Sequence, residues 1–282
     1  MRGGVGWAAV VLLLAGCAAA DVAPPPSAAV SSPPAAVPDV PGMAAESFRH
    51  RSDVAIGDSF QVRLTNTGTT PFTVTSVQLD SPGFAEVPVR ELTQDFAPGR
   101  RYDLTARFGP VVCSASPDPV TARLTVSRDG GPAEQVRVPL AGPVLGEVHA
   151  ELCRVEAVTD AAPVSVEGLA AAGDTVTGEV VLTRGPGADP VVVSALQRSV
   201  VLESALSVPL PATLAAGAAE LRLPVVFRPA TCDPHALAET KQPFVFPLLV
   251  EVGEGAPVPV PLPLDDGQRA LLQDLLGRVC QG

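Results

Sequence analysis

A chain of 282 residues is long enough for one large or two ordinary domains, each able to bury its own core. Its 46% hydrophobic content comes mainly from Val, Ala and Leu, with 4% aromatics, and 31 prolines and 25 glycines interrupt it; this favours short strands and turns over long helices. A formal charge of −11 argues against a nucleic-acid partner, because an acidic surface repels phosphates.

In chain order, Arg2 supplies a short positive region and Val5 to Ala15 an uncharged apolar one, the pattern of a secretion signal over residues 1–16. The stretch is shorter than the ~20 apolar residues a membrane span needs. It ends in Leu14-Ala15-Gly16-Cys17, which resembles the bacterial lipobox. That resemblance implies cleavage behind Gly16 and acylation of Cys17, so that the chain is held to a lipid bilayer by acyl chains, each buried methylene contributing about 0.8 kcal/mol.

A linker is expected over residues 17–48. Within it, Ala18 to Gly42 holds seven prolines and neither an aromatic nor a basic residue, so it cannot build a packed core. Extended at about 3.1 Å per residue, it would reach up to ~75 Å.

Beyond the linker the chain repeats itself at an offset of 119. Pro71, Phe72 and Val74 fall on Pro190, Val191 and Val193, and Val77 falls on Leu196. Further on, Leu104 falls on Leu223, and the F-x-P-x-x-C of Phe108 to Cys113 falls on that of Phe227 to Cys232. Phe60, Val62 and Leu64 alternate with Gln61, Arg63 and Thr65, the period of a half-buried strand. Turn signals at Asn66-Thr67-Gly68, Ser81-Pro82-Gly83, Pro98-Gly99 and Asp129-Gly130-Gly131 separate such runs. The expected fold is all-β: two tandem immunoglobulin-like β-sandwiches over 49–146 and 147–282. The run Val62 to Val74, followed by Ser81-Pro82-Gly83-Phe84, resembles the Hydin-type immunoglobulin-like modules of bacterial surface and ciliary proteins. That resemblance implies a binding or scaffolding role and carries no catalytic residues.

Four cysteines remain after Cys17. In an exported protein an even number suggests disulfides, and since each repeat holds one cysteine after its F-x-P and one near its end, Cys113 is expected to pair with Cys153 and Cys232 with Cys280. In the tail, Leu271, Leu272, Leu275, Leu276 and Val279 fall at helical spacing, and Asp265 stands three residues before Gln268 as in a capping box, so the second sandwich should end in a short helix.

Three pieces of chemistry compete with this reading. Gly57-Asp58-Ser59 imitates the nucleophile block of a lipase and esterase family, but strand alternation follows Ser59 and only Asp233-Pro234-His235 approaches the required D-x-x-H. His149 near Cys153, and Cys232 near His235, would suit copper or zinc only if further ligands converged. His50, between Arg49 and Arg51, has no repeat-equivalent carboxylate, so general acid-base work has no natural candidate. The expectation is therefore a protein lipid-anchored on the extracytoplasmic face of the cell membrane, with no catalytic residue, metal or cofactor, that binds an envelope protein or glycan. A copper- or zinc-handling protein is the alternative, and a serine hydrolase stands behind it.

Overall fold

The computed structural model of the chain describes Gly3, residues 37–128 and residues 130–281. The expected signal peptide, Cys17 and the linker up to residue 36 lie outside these. The described residues from 37 onward form one compact unit. It is mostly strand, and among the described residues no helix is long and apolar enough to cross a membrane.

The first half runs β1 (Met43–Phe48), α1 (Arg51–Ile56), β2 (Ser59–Asn66), β3 (Phe72–Asp80), β4 (Arg90–Phe96), β5 (Arg101–Arg107), β6 (Thr121–Arg128) and β7 (Glu134–Ala141). After α2 (Val144–Ala161), the second half runs β8 (Val164–Ala172), β9 (Thr175–Thr183), β10 (Val191–Leu196), β11 (Leu202–Leu206), β12 (Ala212–Leu214) and β13 (Glu220–Pro229). It closes with α3 (Pro234–Glu239), β14 (Pro247–Val252), β15 (Val258–Pro261) and α4 (Asp266–Gln281).

Strand order shows the repeat in three dimensions. The row β4-β3-β6-β7 matches β12-β10-β14-β15, and β5-β2-β1 matches β13-β9-β8. Each half buries the alternating residues of both its sheets in one core: Phe60, Val62 and Leu64 of β2 meet Val74, Leu124 and Val126 in the first, and Val180, Leu182 and Phe227 meet Val191, Val193 and Phe246 in the second. Alternation works because a strand turns successive side chains to opposite faces. The Asn66 turn is built by its own side chain, whose Nδ2 donates to the carbonyls of Thr70 and Phe96 while its Oδ1 accepts from Gly68 N at 2.9 Å. Gly83 is required where it stands, since a Cβ there would come within 2.6 Å of Pro117 Cα and 2.8 Å of His149 Cδ2.

Both expected boundaries need correction. The linker over 17–48 overlaps β1, which pairs with β2 from Met43↔Asn66 to Phe48↔Gln61 and also bridges in parallel to β7. The junction at 146/147 falls inside α2, an 18-residue helix not expected in an all-β body. Leu145 and Val148 on α2 enter the first core, while Val158 and the following Ala162 enter the second. Tertiary packing stabilises this helix, since its apolar side is divided between two sheets' worth of partners. The C-terminal helix forms with its capping box: Asp265 N donates to Gln268 Oε1 at 3.0 Å, and Gln268 N donates back to Asp265 Oδ1 at 2.8 Å.

Two disulfides staple the helices to the body. Cys113–Cys153 joins the loop after β5 to α2, and Cys232–Cys280 joins the loop after β13 to the end of α4. They are the two pairs expected from the repeat.

Candidate functional site

On the first half, a groove of about 710 Å3 opens between the segment leading into β4 and the outer edge of β5. Val87, Pro88 and Val89 form one wall, Thr105 and Arg107 the other, and Ile56 of α1 lies at one end. Ser59, Val77 and Gln78 lie at its base.

Behind the groove is a buried polar network that the alternation along β2 did not announce. Gln61 should face solvent by period, yet it is buried because α1 lies across it. Asp53, third residue of α1 and only 3% exposed, is the centre of the network. Its Oδ1 accepts from Ser59 Oγ at 3.0 Å and Gln61 Nε2 at 2.8 Å, and its Oδ2 accepts from His50 N at 2.8 Å. Gln61 Oε1 in turn accepts from Thr105 Oγ1 at 3.1 Å on β5. Arg49 clamps the turn from the other side, donating through Nε to Ser59 O at 3.0 Å and through Nη2 to Gly57 O at 2.7 Å. Burial is the largest single influence on the Asp53 carboxyl and pushes it up, but the hydrogen bonds from His50 N, Gln61 and Ser59 together outweigh it and hold the group below the usual carboxylate range.

Ser59, the serine of the Gly57-Asp58-Ser59 imitation, is therefore buried with its hydroxyl given to a carboxylate. Among the described residues no histidine hydrogen-bonds to it. His50 instead sits edge-on to Phe48, with ring centroids 4.8 Å apart, at the start of α1. His149 is buried on α2 against Phe84, its Nε2 3.3 Å from Val112 O. The sulfur near it, Cys153, is in a disulfide, as is Cys232 near the exposed His235. Among the described residues no three His, Cys, Asp or Glu side chains converge as metal ligands would.

A second cleft, of about 730 Å3, lies where the halves meet. Arg51 and Val54 of α1 face Arg198 and Val200 of the β10–β11 loop across it, with Lys241 and Gln242 beyond α3. Gln242 Nε2 donates to Val54 O at 3.4 Å, a polar contact across the cleft.

Neither the protein-family models nor the curated proteins contain a match to this chain. Among solved structures, red sea bream transglutaminase aligns over 76% of this chain and 29% of its own, with 14% identity and a TM-score of 0.24. The secreted serine protease VesC from Vibrio cholerae aligns over 77% of this chain and 48% of its own, with 13% identity and a TM-score of 0.19. The chain thus spans less than half the length of either, and likeness at that level carries nothing over from their chemistry.

Proposed function

We propose that this chain is a lipid-anchored protein of the extracytoplasmic face of the cell membrane, made of two immunoglobulin-like sandwiches that act as a non-catalytic binding or scaffolding module. The observation that carries the reading is the pair of disulfides, each running from one of the repeat-equivalent cysteines Cys113 and Cys232 to a helix. Such bonds persist in oxidising compartments, where the Leu14-Ala15-Gly16-Cys17 sequence would also direct the chain. The proline-rich stretch that follows Cys17 suits a tether between bilayer and body. Within each half, two rows of strands in matching order around one core, joined through β1 and β7 in the first half, support the sandwich assignment. With all four body cysteines oxidised, a copper- or zinc-handling role has no thiolate to work with. The partner is an envelope protein or a glycan.

The test is in-cell crosslinking with mass spectrometry, run beside palmitate labelling, on the natural chain and on Cys17→Ala. The expected result is label and membrane retention with Cys17 alone, and one envelope partner enriched only when the anchor is present. An unlabelled natural chain, or a Cys17→Ala variant equally membrane-bound, overturns the anchor; equal recovery of the same molecules from both chains overturns the anchored binding role.

A further inference from the structure

The second half shows what belongs beside the outer edge of β5. There β11 pairs with β13 from Leu202↔Pro229 to Leu206↔Val225, and Ser207 N donates to Pro224 O at 2.8 Å just beyond. The offset of 119 carries Pro224 back to Thr105 and β11 back to residues 83–87. In the first half that segment pairs only past the end of β5, where Ala85 N donates to Pro110 O at 2.8 Å and Phe84 bridges to Val111. From Val87 it runs along the far wall of the groove, and among the described residues β5 is left as an edge strand. The 710 Å3 groove is the place of the missing strand.

The backbone of β5 is set to receive one. Asn66 N donates to Arg100 O and Phe108 N donates to Asp58 O, which fixes the even-numbered residues as those that bond β2. The N–H and C=O groups of Arg101, Asp103, Thr105 and Arg107 therefore point away from the sheet. One of these acceptors carries a stand-in: Arg90 Nη1 donates to Thr105 O at 3.0 Å, where the second half has Ser207 N on Pro224 O. A side-chain donor fills in for an absent backbone donor, and it can swing aside.

We propose that the outer edge of β5 binds an extended segment of another protein by strand addition, in the place β11 holds in the second half, and that the segment alternates acidic with apolar residues. This rests on the reading of the chain as a binding module and names its contact surface. The apolar positions would seat between Val77, Val87 and Val89, and the acidic ones would face the outward side chains of β5. On that face Asp103 is engaged by Arg63 at 2.8 Å and the exposed Arg107 by Asp58 at 3.0 Å, whereas Arg90 and Arg101 make no ion pair among the described residues. A cationic edge on a chain of charge −11 selects for an acidic strand. A second copy of this chain is disfavoured, since full antiparallel overlap of two β5 edges sets Arg101 opposite Arg107. The tether is disfavoured too, because its prolines lack the N–H groups a strand must donate.

The experiment measures binding of the detergent-solubilised full chain to a synthetic seven-residue peptide alternating Glu with Leu or Val. Lys-for-Glu and backbone N-methylated versions serve as controls. The acidic peptide is expected to bind, with Thr105 and Arg107 amides gaining protection from hydrogen exchange, and both controls are expected to fail. Arg101→Glu should weaken binding about ten-fold, as for loss of a charge-assisted hydrogen bond, and Thr105→Pro about five-fold through loss of one outward donor. Thr105→Pro is compatible with the strand backbone, since the repeat already has Pro224 there, and Thr105→Val, which keeps the N–H while losing the hydroxyl bonded to Gln61, is expected to bind as the natural chain does. No binding at millimolar peptide, or binding indifferent to N-methylation and to Thr105→Pro, overturns the proposal. Crosslinking that captures an envelope partner equally with Thr105→Pro sinks the β5 edge and leaves the binding role standing. Peptide binding with β5 protection, in a chain that fails the anchoring test, does the reverse.

Discussion

The two halves solve the same problem of sheet edges in opposite ways. In the first, β1 pairs with both β2 and β7 and so joins the two sheets into one seven-stranded array, while β5 is left at the margin. In the second, β8 and β15 lie at the ends of separate four-stranded sheets, while β11 covers β13. A repeat copied at the level of core residues has thus diverged at its edges, where pairing is a matter of a few backbone hydrogen bonds and not of packing. The core tolerates little change because each buried aromatic contributes several kcal/mol, and the edges are where one copy acquires a surface that the other lacks.

Core substitutions break the comparison hardest. Phe108→Ala and Phe227→Ala, equivalent by repeat, should each cost about 3–5 kcal/mol, since both rings are buried among other aromatics. Because α2 puts Leu145 in one core and Val158 in the other, calorimetry should show a single transition lowered by either change. Two transitions, each sensitive to only one variant, would mean that the halves unfold independently.

The disulfides come next. Replacing Cys113 and Cys153 by Ser, or Cys232 and Cys280 by Ser, should cost about 2–4 kcal/mol each. The loops span 40 and 48 residues, so the entropic part differs by only about 0.2 kcal/mol. Denaturant melts that differ by much more would show that α2, held in both cores, needs its staple less than α4 does.

Asp53 has no counterpart in the second half, where the offset places Ala172. Asp53→Ala leaves the buried donors of Ser59 and Gln61 without their acceptor, a loss of about 1–3 kcal/mol. The pH dependence has a definite sign. A carboxyl whose folded pKa is depressed stabilises the fold above its unfolded pKa, and that contribution disappears as pH falls through the ordinary Asp range toward the lowered value. Stability of Asp53→Asn should fall less steeply over that acid window than the natural chain's, in denaturant melts recorded as a pH series.

The smallest effect belongs to Arg222, which holds Glu167, Glu179 and Glu220 on the exposed face of the second half, and whose pKa those carboxylates raise, the Glu220 hydrogen bond most. Arg222→Ala should lower Tm slightly at low ionic strength and not at all at high salt, because exposed ion pairs are screened.

The offset of 119 placed the strands on one another and matched Cys113 with Cys232, and the helical spacing of Leu271 to Val279 with the Asp265–Gln268 capping box located the C-terminal helix, because these are local periods or one constant spacing. The helical spacing of Leu145, Val148, Leu152, Val155 and Val158 was present in the sequence too, and the same offset lays α2 on α4. The sandwich pattern on either side of it sets the expected boundary at 146/147, inside the helix. The small residues Ala44, Ala45 and Ser47 give Met43 to Phe48 a weak strand signal, and pairing with β2 and β7 supplies what propensity lacks.

What the sequence alone determined was the all-β bulk of the body, the repeat, the staples and the terminal helix, each fixed by residues close in the chain or by one constant spacing. The tertiary structure decided three things: that α2 is shared by two cores, that α1 lies over Gln61 and turns a surface residue into part of a buried network, and that among the described residues β5 has no strand on the side where β13 has β11. Each depends on which backbone comes to lie beside which, a long-range choice made by packing over whole sheets.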